Sequence, residues 1–261
     1  MTNNPEKMHL KKIKSIREKL QKNKASIGSW MQIPNASVAE IMGHAGYDWI
    51  AIDLEHGSIS LSELPDLFRA IELGNTLPLA RIAQVHHKDC KQALDAGAGG
   101  IIVPMIESAE QLAVIRDACR WPPAGTRGVG FSRANLFGKY FDEYNKEAQE
   151  PLLIAQIEHI NAVNNLENIL KVDGLDAIMV GPYDLSASMG ITAEFDNKDF
   201  ISVMDNILNL CKTHNIPCGD HVVQPDPKLL EKRIKQGYTF LAYSTDGIFL
   251  FSSSAAPKLV I

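Results

Sequence analysis

Cysteine is scarce in this chain, and the few cysteines present are scattered. The four residues, Cys90, Cys119, Cys211 and Cys218, include no C-x-x-C pair. Zinc sites and disulfide frameworks are built from cysteines grouped at short spacings. The sequence therefore predicts neither of them, and the cysteine content favours the reducing cytoplasm as the compartment.

Long apolar runs are absent as well. No stretch approaches the about 18 apolar residues that indicate a membrane-spanning helix. The opening segment carries lysines throughout and lacks the apolar centre of a signal peptide. Its apolar side chains fall on one stripe of an amphipathic helix, at Leu10, Ile13, Ile16 and Leu20. The sequence thus predicts an N-terminal helical extension at 1–24 and no contact with a membrane.

An excess of positive charge is also missing. The 26 lysines and arginines are outnumbered by 31 aspartates and glutamates, which gives a formal net charge of −5 at pH 7. A surface that binds a polyanion needs the opposite balance, so we expect no nucleic acid as a partner. A small anionic substrate is compatible with this charge, because one local arginine suffices to bind it.

Short apolar runs alternate with helical patterns through the rest of the chain. The runs are continuously apolar, which is typical of parallel strands covered on both faces. Eight such runs, each followed by a helical pattern, predict an α/β fold, a closed (β/α)8 TIM barrel that forms a single domain over 25–261. The predicted strands lie at 25–32, 49–56, 78–84, 100–107, 152–159, 176–183, 217–222 and 239–246.

Two segments depart from this regular alternation. Residues 122–150 form a long predicted loop between the fourth helix and the fifth strand. Its GTRGVG stretch does not join a strand to a helix start, so nucleotide binding is not expected there. The last helical stretch, 247–260, is apolar and poor in charge. We expect it to pack on another subunit, because alone it would expose an apolar face.

Polar residues gather where the predicted strands end. In a barrel of this kind all strand carboxyl ends open on one face, and the active site lies there. Side chains that are distant in sequence should therefore meet at that face. They are Asp53, Glu55 and His56 at the end of the second strand, Arg81 on the third, Gln156, Glu158 and His159 on the fifth, and Asp184 after the sixth.

These side chains suit metal-assisted chemistry on a small anion. Glu158 and Asp184 come from neighbouring strands, and their carboxylate oxygens are ligands for Mg²⁺, Mn²⁺ or a related divalent ion. Arg81 would supply a fixed cation for a carboxylate or a developing oxyanion. His56 would serve as a base, since histidine changes its protonation near neutral pH.

Each residue taken singly has a purely structural interpretation. Asp53 and Glu55 would then be members of ion pairs within the barrel, Arg81 a structural partner and Trp30 a core side chain. The convergence of several polar strand ends on one face favours the functional interpretation of the group.

Five segments in the same order resemble the HpcH/HpaI aldolase family. They are DLEH at 53–56, PMIES at 104–108, PPAGTRGVG at 122–130, QIE at 156–158 and GPYDLSASMG at 181–190. The resemblance covers roughly 25–250. Members are class II, metal-dependent pyruvate aldolases of the 2,4-dihydroxyhept-2-ene-1,7-dioate aldolase and 2-dehydro-3-deoxyglucarate aldolase type. The resemblance implies a barrel of the phosphoenolpyruvate/pyruvate type and a hexamer, a trimer of dimers, with the last helix exchanged between subunits.

The resemblance also implies roles for individual residues. Glu158 and Asp184 would bind a divalent ion, Mg²⁺, Mn²⁺ or Co²⁺, and no organic cofactor would be needed. Arg81 would stabilise the enolate oxygen, and His56 would be the acid/base group. The remaining implied site residues are Asp95, which would orient His56, and the substrate-binding residues Gln156, Trp30 and Ser186.

The sequence therefore predicts reversible cleavage of a 4-hydroxy-2-oxo acid into pyruvate and an aldehyde through a metal-stabilised enolate. A Schiff-base aldolase is disfavoured, because it needs a lysine inside the barrel and no predicted strand contains one. Two rival functions stay open. One is that of a CoA-ester lyase of the citrate-lyase type, and the second is that of a non-catalytic barrel that binds pyruvate.

Overall fold

Eight short strands form the centre of the molecule. The computed structural model describes residues 5–257, with side chains from residue 9 onward. Every strand pairs in parallel with its neighbours in chain order, and the eighth pairs with the first to close a barrel. The strands are β1 (Ser26–Met31), β2 (Trp49–Asp53), β3 (Leu77–Arg81), β4 (Gly100–Val103), β5 (Leu152–Ile157), β6 (Ala177–Val180), β7 (Cys218–Val222) and β8 (Phe240–Thr245).

Helices follow the strands and cover the outside of the barrel. The predicted (β/α)8 TIM barrel is thus confirmed. The helices of the described residues are α1 (Pro5–Gln21), α2 (Ala36–His44), α3 (Leu64–Leu73), α4 (His87–Ala96), α5 (Ala109–Cys119), α6 (Phe141–Glu147), α7 (Ile160–Asn164), α8 (Leu166–Ile169), α9 (Pro182–Ser188), α10 (Lys198–His214), α11 (Pro227–Gln236) and α12 (Asp246–Ser253).

The apolar core has two layers, one between sheet and helices and one inside the barrel. Inside the barrel, the rings of Trp49 and Phe240 stack with centroids 4.6 Å apart. Gly28 makes room for this stack, because a Cβ at that position would lie 2.0 Å from the Trp49 ring. Both faces of each strand are therefore buried, which explains the continuous apolar runs in the sequence.

Helix α1 closes the amino-terminal mouth of the barrel. Ile13, Ile16 and Leu20 are buried against first residues of strands such as Trp49 and Leu77. Ion pairs fix the helix at its edges. They join Arg17 to Asp176, with Nε–Oδ1 2.6 Å, Lys19 to Asp48, with Nζ–Oδ1 2.5 Å, and His9 to Glu72 and Glu147. The barrel thus opens at the carboxyl ends of its strands.

The predicted loop at 122–150 contains more regular structure than its sequence suggested. A 3-10 turn at Arg133–Asn135 and helix α6 lie within it. Trp121 packs edge-on against Tyr144 of α6, with ring centroids 5.2 Å apart. This small aromatic cluster forms its own core and lies outside the main barrel. Helix α6 has only 7 residues, which is too short for a clear helical pattern, so the sequence alone does not distinguish it from a loop.

The last helix of the described residues, α12, has an apolar exposed face. Leu250 is 60% exposed and Phe251 is 83% exposed. The end of the predicted segment at 258–260 lies outside the described residues. None of the helices between residues 5 and 257 is both long and apolar enough to cross a membrane.

Candidate active site

The carboxyl ends of the strands surround a cavity of about 380 Å³. This cavity lies at the mouth opposite α1, as expected for a barrel of this fold. Most of the side chains singled out in the sequence line it. They include Trp30, His56, Arg81, Gln156 and Asp184, together with the acid Asp53. The structure therefore brings together groups from five strands and the loops that follow them.

Arg81 is the fixed cation of this cavity. Its register partner on the neighbouring strand is Asp53, and the two side chains form a fork with Nε–Oδ1 2.9 Å and Nη2–Oδ2 2.6 Å. The guanidinium also lies over the Trp30 ring, with Cζ 4.6 Å from the centroid. Paired on one side and stacked on the other, Arg81 has little freedom to move.

Both acids of the DLEH segment, Asp53 and Glu55, contact the Arg81 guanidinium. Burial would raise the pKa of Asp53, but the hydrogen bonds and charge of Arg81 outweigh burial and hold the pKa below its usual value. Oε2 of Glu55 lies 3.2 Å from Nη1 of Arg81. Burial dominates at this second acid and raises the pKa of Glu55 in spite of the arginine. Asp53 and Glu55 therefore both form ion pairs with Arg81.

Glu158 is held by hydrogen bonds on both of its oxygens. Oε1 accepts from the backbone N–H of Met105 at 2.6 Å, and Oε2 accepts from Nε2 of Gln156 at 2.6 Å. Burial and the charges of Glu55 and Asp184 together raise the pKa of Glu158 to about 7, although the Met105 hydrogen bond and the charge of Arg81 lower it. The two hydrogen bonds thus fix the orientation of the carboxylate. Its negative charge is poorly neutralised, since other acids lie nearby.

Gly181 allows the next helix to approach Glu158. A Cβ at this residue would lie 2.6 Å from Oε2 of Glu158 and 3.2 Å from Nε2 of Gln156. Helix α9 begins directly after the glycine, and Asp184 stands in its first turn, exposed. The GPYD segment therefore brings a second carboxylate close to the first one.

The residues present fit a hard divalent cation. Asp53, Glu55, Glu158 and Asp184 surround one guanidinium, so the site carries an excess of negative charge. Oε1 of Gln156 is buried without a hydrogen-bond partner among the described residues. Within that same part of the chain no three His, Cys, Asp or Glu side chains are grouped to hold a metal ion. A cation here would take two carboxylates from the protein and leave positions for substrate.

His56 stands at the rim of the cavity and is exposed. Its backbone N–H donates to Oδ1 of Asp53 at 3.1 Å, which fixes the loop that carries it. Its Nε2 lies 3.9 Å from Oε2 of Glu55. The exposed ring can therefore contact a substrate hydroxyl at the rim of the cavity.

Two residues implied by the resemblance lie away from the cavity. Asp95 is the ninth residue of α4, about 12 Å along the helix from His87 at 1.5 Å per residue. Its charged neighbours are Arg127 and Lys91, and within the described chain it makes no hydrogen bond to His56. Ser186 is buried, and its Oγ donates to the carbonyl of Tyr183 and accepts from the N–H of Ala193. The position of Ser186 supports a structural role.

His221 is a cavity residue that the sequence analysis missed. It lies on β7 in the polar segment CGDHV, and its ring is tilted against Trp30 with centroids 5.9 Å apart. Burial and the nearby charge of Arg81 lower the pKa of His221 to about 4, although a hydrogen bond to Ser244 works in the other direction. The period of two on β7, which places Asp220 outside and His221 inside, is the signal that identifies it.

Comparison with known proteins places the chain in a family. The sequence model of a family described as HpcH/HpaI aldolase/citrate lyase matches residues 26–253. The chain is 34% identical over 237 residues to a 2-dehydro-3,6-dideoxy-6-sulfogluconate aldolase of Pseudomonas putida, covering 90% of this chain and 92% of the relative. It is 36% identical over 251 residues to a 4-hydroxy-2-oxovalerate aldolase of Novosphingobium aromaticivorans, covering 95% and 94%.

A solved structure agrees with these sequence relatives. An HpcH/HpaI aldolase/citrate lyase family protein from Burkholderia cenocepacia superposes with a TM-score of 0.86 at 30% sequence identity. The match covers 92% of this chain and 96% of that protein. The similarity therefore extends through the whole barrel and is not confined to the motifs.

Proposed function

The chain belongs to the HpcH/HpaI aldolase/citrate lyase family and is an aldolase, and we propose that it reversibly cleaves a 4-hydroxy-2-oxo acid into pyruvate and an aldehyde with a divalent metal ion. The observation that carries this proposal is the cavity in which Gln156, Asp184 and Arg81 meet. Glu158 adjoins it through the hydrogen bond from Gln156.

Glu158 and Asp184 would hold the divalent ion. A bound dication would act as a Lewis acid on the 2-oxo acid and stabilise negative charge on its carbonyl oxygen. Met105 and Gln156 aim the Glu158 carboxylate before any ligand binds. The chain thereby supplies an oriented ligand, which lowers the cost of ordering the site.

Arg81 and His56 would carry the proton and charge movements. His56 takes the proton of the C4 hydroxyl, the C3–C4 bond breaks, and its electron pair passes into an enolate of pyruvate as the aldehyde forms. Arg81, fixed by Asp53, stabilises the enolate oxygen as charge develops on it. A proton delivered to C3 then gives pyruvate. The reverse direction uses the same groups in the opposite order.

The strands disfavour the Schiff-base route to the same products. A lysine that forms an imine with the 2-oxo acid must reach the barrel interior. None of the eight described strands contains a lysine. An enolate stabilised by charge is therefore the route that this chain's own residues support.

Assembly belongs to the proposal as well. We propose a hexamer, a trimer of dimers, in which the exposed apolar face of α12 packs on a neighbouring subunit. The expected pairing of Asp95 with His56 would then occur between subunits, since α4 carries Asp95 away from the cavity of its own barrel.

A screen of aldehydes tests the function directly. Pyruvate, Mn²⁺ and the protein are incubated with a series of aldehydes, and the products are identified by mass. We expect 4-hydroxy-2-oxo acids, loss of activity in EDTA, and no trapping of pyruvate by borohydride. Turnover of an acyl-CoA in place of the hydroxy-oxo acid would favour a CoA-ester lyase.

Proton exchange separates an enzyme from a binding protein. Pyruvate incubated in D₂O with Mn²⁺ should exchange its methyl protons in the presence of the wild type, and Glu158→Gln should lose both Mn²⁺ binding and exchange. Binding of Mn²⁺ and pyruvate without exchange in the wild type would support the non-catalytic interpretation instead.

A further inference from the structure

His221 lines the cavity of the candidate site. Alternation along β7 turns Asp220 outward, where its Oδ2 lies 2.7 Å from Nε of Arg233 on α11. It turns His221 inward, where the ring meets Trp30 and lines the cavity. No step of the proposed reaction uses this histidine, so its presence among the cavity residues needs a separate explanation.

A bulge in the neighbouring strand holds one side of the ring. Between Gly28 and Trp30 the register of β1 against β8 shifts from Ala242 to Thr245, so β8 carries one extra residue there. Ser244 in this bulge is buried and adopts a left-handed backbone with φ 57°. Its carbonyl lies 3.4 Å from Nε2 of His221. A strained serine in a bulge is thus placed against the histidine.

The contact with Ser244 decides which nitrogen of His221 carries the proton. A backbone carbonyl is only an acceptor, so Nε2 must be the protonated nitrogen that donates to it. Nδ1 is then an unprotonated acceptor, and it has no hydrogen-bond partner among the described residues. Burial and the charge of Arg81 lower the pKa of His221 and thereby favour the neutral ring, whereas Asp53 and the Ser244 carbonyl act in the opposite direction.

We propose that Nδ1 of His221 accepts a hydrogen bond from a hydroxyl group of the substrate, so that the aldolase selects a hydroxylated substrate fragment. This inference rests on the proposed function, because it assigns a specificity residue to the same cavity. The hydroxyl lies either on the carbon next to the reacting aldehyde carbon or on the reacting C3 itself. It comes either from the aldehyde or from C3 of the 2-oxo acid.

The chemistry of the ring excludes other substituents at this position. A carboxylate has no proton to donate to Nδ1. An alkyl group would leave the nitrogen without a partner once the substrate had displaced water, which costs binding energy. A site built to bind a hydroxyl therefore discriminates strongly against the analogue that lacks it.

Substrate pairs that differ by one hydroxyl test the inference and identify its source. Glycolaldehyde is compared with propanal as acceptor, and hydroxypyruvate with pyruvate as donor, in the wild type, His221→Leu and His221→Asn. Leucine removes the acceptor, whereas the asparagine Oδ1 can stand near the position of Nδ1. His214→Leu on α10 is the matched control, because it makes the same change outside the cavity.

In His221→Leu we expect kcat/KM for one hydroxylated substrate to fall about tenfold to a hundredfold, with its unhydroxylated partner unaffected or improved. The pair that responds identifies the source of the hydroxyl. His221→Asn should recover part of the preference, and His214→Leu should behave as the wild type. Equal losses on both members of each pair would mean a structural role and overturn the inference.

Nuclear magnetic resonance of ¹⁵N-histidine-labelled protein gives a second test that does not depend on turnover. The signal that is present in the wild-type spectrum and missing from that of His221→Asn belongs to His221. We expect this signal to show a neutral ring with its proton on Nε2. Hydroxypyruvate or glycolaldehyde should shift the Nδ1 resonance. A proton on Nδ1 would overturn the inference, even where the aldolase activity is present. A wild type without aldolase activity but with this tautomer and this shift would contradict the proposed function alone.

Discussion

At the scale of single residues, Arg81 has the most constrained position in the site. Its fork with Asp53, its contact with Glu55 and the Trp30 ring beneath it fix three sides of the guanidinium. What remains is the side toward the cavity. A developing negative charge there meets a cation that needs no rearrangement, and this is the arrangement that lowers a reaction barrier most efficiently.

Arg81→Lys should lower kcat by about 10²–10³, because an ammonium group cannot reproduce the two parallel bonds to Asp53 and moves from its position. Steady-state kinetics with pyruvate and the best aldehyde measure the loss. Arg69→Lys, at an exposed pair with Asp66, is the control and should be neutral. A near-normal kcat in Arg81→Lys would contradict the role given to the guanidinium.

The residues that the sequence singled out at strand ends lie at the cavity, since Arg81 and Asp184 line it and Glu158 adjoins it. They could be singled out because polar groups interrupt apolar runs there, and buried polar groups need partners. The partner of Arg81 was left open, since only the register of β2 against β3 shows that Asp53 faces it. His221 was missed because β7 is short and polar, so its alternation was hidden among other turn-forming residues.

At the scale of elements, the backbone just before α9 lies in close contact with the Glu158 carboxylate at Gly181. Gly181→Ala should abolish most of the activity while the barrel stays folded, because the new Cβ would lie 2.6 Å from the Glu158 carboxylate and displace it. Mn²⁺ binding by calorimetry and far-UV circular dichroism measure the two effects. Gly130→Ala is the matched control, since nothing lies within 4 Å of a Cβ there. Full Mn²⁺ affinity in Gly181→Ala would contradict this account.

Helix α1 is fixed by a histidine between two carboxylates, which makes its contribution to stability depend on pH. Burial lowers the pKa of His9, but Glu147 and Glu72 outweigh it and raise the pKa to about 10. A raised folded-state pKa means that the stabilisation is complete below the unfolded value of about 6.5 and is lost as pH rises toward 10.

The free energy of unfolding of the wild type should therefore exceed that of His9→Gln most at pH 6 to 6.5. The difference should shrink steadily and vanish near pH 10. Urea unfolding at several pH values in this range measures it, with His214→Gln as the control for a histidine outside this contact. A difference that grows with pH would contradict a protonated His9.

The elements themselves were predictable to different degrees. Strands buried on both faces leave continuous apolar runs, and all eight were found within a few residues of their ends. Helix α6 and the turn at Arg133–Asn135 were not found, because they pack on a separate cluster around Trp121. Their stability comes from tertiary contacts that no short sequence window contains.

At the scale of the whole molecule, the exposed face of α12 is the surface most in need of a partner. Phe251→Asp should shift the protein to a smaller assembly, because a charge in a buried apolar contact is unfavourable. Light scattering after size exclusion measures the mass. Thr213→Asp, which adds the same charge at an exposed position of α10, should leave the mass unchanged. Equal masses for Phe251→Asp and the wild type would exclude α12 from the interface.

The closure of one mouth by α1 also governs the order in which molecules pass through the site. Ile13, Ile16 and Leu20 close the amino-terminal end of the barrel. Reactants therefore enter and leave the site from the carboxyl-terminal end alone. Arg81 and Gln156, which are proposed to bind the oxo acid, are buried in the cavity, whereas His56 is exposed at its rim. If the proposed reaction is correct, this geometry predicts an ordered mechanism in which the aldehyde leaves first in cleavage and binds last in synthesis.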